Sequence, residues 1–141
     1  MQDAHVPPPC NCLALRQAAR QATQFYDRHL APTGLRTSQF SILATLARRG
    51  PLSVSQLAGA MVMDRTTVGR AVRPLEREGL AEVGAGRDAR TRALKLTDAG
   101  RQRLDEALPL WRTAQAAFEE RYSAPDSAAL RTALSRVVTA L

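Results

Sequence analysis

SVSQLAGAMVMDRTTVGRAVRPLEREGL, residues 53–80, decides the fold. Ser53 followed three residues later by Gln56 is a capping box, and it opens a short helix through about Ala60. Asp64 caps a second helix. Two short helices about three residues apart have the spacing of a helix-turn-helix. On a wheel at about 100° per residue, Val68, Ala71, Val72 and Leu75 share one face that must pack inward. The opposite face carries Thr66, Arg70, Arg73 and Arg77, with Thr67 and Gly69 at its margins. Pro74 forfeits one backbone hydrogen bond late in this helix.

Downstream, Leu80–Gly84 and Arg92–Leu96 are two short extended stretches around an arginine-loaded loop, GAGRDARTR at 84–92. Ala93, Lys95 and Thr97 are expected on one side of the second strand, and Leu94 and Leu96 on the other. A hairpin behind a helix-turn-helix makes a winged helix. Gly84 and Gly86 let the loop turn, and Asp88 is expected to pair with a neighbouring arginine and hold its pose.

Upstream, Leu15, Ala18, Ala19, Ala22, Phe25, Tyr26 and Leu30 recur at helical spacing before Pro32 and Gly34. A second helix is expected from Thr37 to Arg49, ended by Gly50-Pro51. Towards the C-terminus, Leu104, Leu108, Trp111, Gln115, Phe118 and Tyr122 form a heptad-like row, with Pro109 as a kink or boundary. Leu130, Leu134, Val137 and Leu141 form another after Ser123–Pro125. Both rows call for a partner. Residues 1–11 read as a loose, proline-rich arm.

The net charge of +7 comes from 20 basic residues, of which 19 are arginine and one is Lys95. Residues 53–97 hold 8 basic and 5 acidic side chains, most of the bases on the second helix and the wing. Both elements project the same way, which suits a polyanion. Threonines reach base edges in a major groove and arginines bond guanine or phosphate, while a wing arginine suits the negative minor groove. No Ser/His/Asp set, H-E-x-x-H, P-loop or dinucleotide fingerprint supports an enzyme. The rival is a winged helix that binds protein or membrane. Cys10 and Cys12 cannot complete a zinc site, and His5 and His29 stand alone, so neither metal nor cofactor is expected. Apolar runs are too short to span a membrane, and no secretion signal is read, so a cytoplasmic protein is expected.

The chain resembles the MarR transcriptional regulators. The resemblance rests on MDRTTVGRAVRPLEREGLAE (63–82), on Asp88-x-Arg90, on Leu96-Thr97-x-x-Gly100, and on LAPTGLRTSQFSIL (30–43). It covers residues 12–141 as one domain, mainly α with a β-hairpin wing, with dimerisation helices at 12–30 and 98–141 around a winged helix-turn-helix at 37–97. It implies a homodimer on a palindromic double-stranded DNA operator. The DNA-binding residues it points to are Ser53, Arg65, Thr66, Thr67, Arg70, Arg73, Arg77, Arg87, Asp88, Arg90 and Arg92. It implies a repressor released by a small aromatic or other apolar ligand. The alternative is the organic-peroxide-sensing branch, in which a cysteine at the place of Cys12 is oxidised. A thiol at that place faces the positive end of the helix dipole. Thr37 and Phe40 stand where that branch has tyrosines to engage the sulfur.

Overall fold

The computed structural model describes residues 8–86, 88 and 90–141. In order come α1 (Asn11–Leu30), a 3-10 turn (Ala31–Thr33), α2 (Thr37–Arg49), α3 (Val54–Met61), α4 (Arg65–Arg77), β1 (Ala81–Ala85), β2 (Arg92–Leu96), α5 (Asp98–Tyr122) and α6 (Ala124–Ala140). The strands pair antiparallel, with Ala81 opposite Leu96 and Ala85 opposite Arg92. Leu52 adds a single antiparallel bridge to Leu94, so the wing has a third, one-residue rung.

α2 lies at the centre. It packs against α1, α3, α4, α5 and β2. Leu30, Ile42, Leu43, Leu57, Val68 and Leu75 lose all solvent contact, and burial of such side chains contributes about 1.5–3 kcal/mol each. Trp111 of α5 stacks on Phe40 of α2 with centroids 6.1 Å apart. Phe118 stands edge-on to Phe25 of α1 at 6.3 Å. α5's row is therefore spent largely inside the protomer, against α1 and α2, and does not wait for a partner. α6 differs: Leu134, Val137, Val138 and Leu141 are exposed. The N-terminal half of α1 is bare as well, with every residue from Asn11 to Gln21 exposed.

Three local expectations change. Helix α1 begins at Asn11, inside the stretch read as a loose arm, because the Cys10 sulfur caps it by accepting the Leu13 N–H at 3.4 Å. Pro109 is not a boundary, since α5 runs through it from Asp98 to Tyr122. Ala93 is buried beside Leu94 rather than facing solvent. A Cβ at Gly86 would lie 3.3 Å from the Ala93 methyl, so the wing folds over this small side chain.

Candidate nucleic-acid interface

α4 starts at a well-made cap. Asp64 accepts the Thr67 N–H and the Thr67 hydroxyl, each at 2.8 Å. The Thr67 backbone bond, followed by the Thr67 hydroxyl, holds the Asp64 carboxyl below its ordinary range. The Thr67 hydroxyl, expected at the DNA, donates to Asp64, and both it and the neighbouring Thr66 are exposed. Ser53 is likewise occupied, accepting the Gln56 N–H at 3.1 Å while Gln56 Oε1 accepts the Ser53 N–H at 2.9 Å.

The two faces of α4 separate as the wheel requires. Val68, Val72 and Leu75 are buried. Arg65, Thr66, Arg70, Arg73 and Arg77 are exposed. Arg70, Arg73 and Arg77 line a shallow depression together with Pro74 and Glu76. Val62, in the turn before α4, has φ +54° and is 70% exposed. A β-branched residue in that left-handed region is strained.

At the wing tip, the Asp88 carboxylate accepts the Arg90 N–H at 3.1 Å, and its carbonyl accepts the Thr91 N–H at 3.0 Å and the Thr91 hydroxyl at 2.9 Å. Its observed role is that of a turn-former, and among the described residues it makes no ion pair. Arg90 and Arg92 are exposed, and Arg87 lies outside the described residues. Lys95 pairs with Glu82 directly across the hairpin at 3.3 Å. Gly86 is required by crowding: a Cβ there would stand 2.9 Å from the Thr91 hydroxyl.

The lobe of α4 and the hairpin is joined to α5 without slack. The Thr97 hydroxyl donates to the Gly79 carbonyl at 2.6 Å and accepts the Gly100 N–H at 3.0 Å. A Cβ at Gly100 would sit 1.9 Å from the Leu80 carbonyl oxygen, so only glycine fits.

The MarR family model matches residues 35–83. The transcriptional regulator MosR of M. tuberculosis is 36% identical, over 94% of this chain and 97% of its own, with TM-score 0.79. The chain belongs to the MarR family. A structure of MosR with DNA is 38% identical over 94% of this chain and 98% of that one, with TM-score 0.76. The uncharacterised HTH-type regulator YwoH of Bacillus subtilis is 28% identical over 65% of this chain and 67% of its own length. This MarR-family chain is a DNA-binding transcriptional regulator built as a winged helix.

Cys12 lies within the first turn of α1, rather than ahead of it, and is exposed. No hydrogen bond reaches its sulfur among the described residues. Thr37, at one of the expected tyrosine places, gives its N–H and its hydroxyl to Asp27, each at 2.7 Å. His29 Nδ1 donates to the Phe25 carbonyl at 2.9 Å. Among the described residues no group of three or more His, Cys, Asp or Glu could hold a metal, and no helix is long and apolar enough to cross a membrane.

Proposed function

We propose that this regulator binds a palindromic operator as a homodimer, with α4 in the major groove and the wing in the minor groove. The observation that carries the reading is α4 itself, a helix with a face built on buried Val68, Val72 and Leu75 and an opposite face of exposed arginines behind an exposed threonine. Arg65, Thr66, Arg70 and Arg73 meet bases and nearby phosphates, whereas Arg77, Arg90 and Arg92 bind the backbone and minor groove. Ser53 and Thr67 act through their caps, which fix where α3 and α4 begin. The solved complex of MosR with DNA, at 38% identity, supports DNA as the partner here.

The dimer follows from the bare halves. Leu13 and Leu15 on α1, Leu134 and Val137 on α6, and Leu141 just after it are left exposed in the protomer. Repression follows from occupancy, since a dimer on a promoter blocks polymerase. An aromatic or other apolar inducer suits the aromatic contacts of α5, Trp111 with Phe40 of α2 and Phe118 with Phe25 of α1.

The test is fluorescence anisotropy on duplexes selected from a random pool, repeated across salt concentrations. Counterion release should lower log affinity by about 0.9 per phosphate contact for each unit of log salt. Binding that ignores salt would point to a protein or membrane partner. Release of reduced protein by cumene hydroperoxide, absent in Cys12→Ser, would replace ligand control with the thiol reading.

A further inference from the structure

The foot of α5 is welded to the reading lobe through Thr97, Gly79, Gly100 and Leu80. The helix cannot swivel there without unseating the Leu80 carbonyl, so α5 carries the orientation of α4 and the wing with it.

The other half of the joint is the turn between α1 and α2. It is rigid by itself. Thr33 Oγ1 donates to the Leu30 carbonyl at 2.7 Å and accepts the Leu35 N–H at 3.3 Å. Asp27 reaches over from α1 to hold the first residue of α2. The last carbonyls of α1 and its 3-10 extension lack intrahelical donors. Arg103, in the second turn of α5, supplies one: its Nη1 donates to the Thr33 carbonyl at 3.0 Å. The guanidinium passes over Gly34, where a Cβ would stand 3.8 Å from the same nitrogen.

No carboxylate pairs with Arg103 among the described residues. A half-buried guanidinium therefore gives up hydration for one carbonyl and the negative end of the α1 dipole. An apolar side chain would fill this space without that cost. What the guanidinium adds is direction, because its planar fork fixes where the donor points.

We infer that Arg103 is a positioning residue: it sets the angle between the arm that meets the second copy and the lobe that reads DNA, and so the half-site spacing the protein accepts. The inference rests on the dimeric operator reading above. Each base pair inserted between half-sites moves one of them about 3.4 Å along the axis and roughly 35° around it. A fixed angle rejects such a shift. A loose one tolerates it, and binds the correct spacing more weakly because ordering is then charged to binding.

The experiment uses the inverted repeat selected from random duplexes, with versions one or two base pairs longer or shorter between half-sites. Wild type should bind the altered spacings about 100-fold more weakly, because only one half-site can be engaged. Arg103→Met keeps the stem and removes the donors. It should bind the native spacing about tenfold more weakly and shrink the spacing contrast below about tenfold. Arg103→Lys retains a donor without the fixed fork and should restore only part of the contrast. Thermal unfolding and sedimentation of each variant separate this effect from lost folding or assembly. If Arg103→Met loses the same factor at every spacing, or none, the inference fails. A folded lysine variant that restores nothing also overturns it. A wild type that binds a lone half-site as tightly as the repeat overturns the dimeric reading itself.

Discussion

Single residues carry two kinds of backbone demand in this protein. Gly100 is demanded by a neighbour: a methyl there would enter the Leu80 carbonyl. Gly100→Ala should cost about 3 kcal/mol, visible as a lowered midpoint in urea. Gly59, also helical, has nothing within 4 Å of a Cβ. Gly59→Ala should instead stabilise by about 0.5–1 kcal/mol through helix propensity. Val62 is the reverse case, a branched side chain held at φ +54° with little packing to reward it. Val62→Gly should raise the melting temperature by about 3 °C, equivalent to about 1 kcal/mol. An unchanged or lowered melting temperature would mean that the Val62 side chain is held by a contact outside the protomer. Valine announces none of this in the sequence. Its strain becomes visible only once the turn is built.

At the level of elements, the proposed interface divides reading from holding along α4. Thr66 and Arg70 lie in its first two turns and Arg77 in its last. Arg70→Ala should relax preference at one position of each half-site by about 1–3 kcal/mol, whereas Arg77→Ala should weaken all duplexes alike and flatten the salt slope by about one unit. Equal losses from both, measured over a panel of single-base variants, would contradict the division. The cap of α4 adds a pH dependence. Asp64 has a lowered folded pKa, so its stabilisation is present above the ordinary carboxylate range and is lost as pH falls through the folded value. Asp64→Asn, which still caps, should bind DNA with less acid sensitivity than wild type in titrations below pH 5. These helices were legible because their signals are local: Ser53 with Gln56, Asp64, and Gly50-Pro51 all act within four residues. The hairpin strands fell within a residue of expectation for the same reason. The Leu52–Leu94 rung was not legible, because a one-residue strand has no period to detect.

Across the whole molecule, sequence periodicity revealed which faces are apolar but not what covers them. The rows on α5 and α6 look alike, yet Trp111 and Phe118 find Phe40 and Phe25 in the same chain, while Leu134 and Val137 stay exposed. The Arg103–Thr33 bond joins residues 70 apart, beyond any local signal. Sedimentation at micromolar concentration should give twice the 15.3 kDa chain mass, and a folded monomer would refute the reading of the bare helices. The charge inventory has a last consequence, for control by covalent modification. Acetylation neutralises lysine, and arginine has no amine to offer it. The cations of α4 and the wing tip are all arginines, and the sole lysine, Lys95, is paired with Glu82 behind them. Treatment with acetyl phosphate should therefore modify Lys95 while operator affinity changes by no more than about twofold. A cell that adjusts its lysine-bearing DNA-binding proteins through its acetyl pool would leave the DNA affinity of this one unchanged.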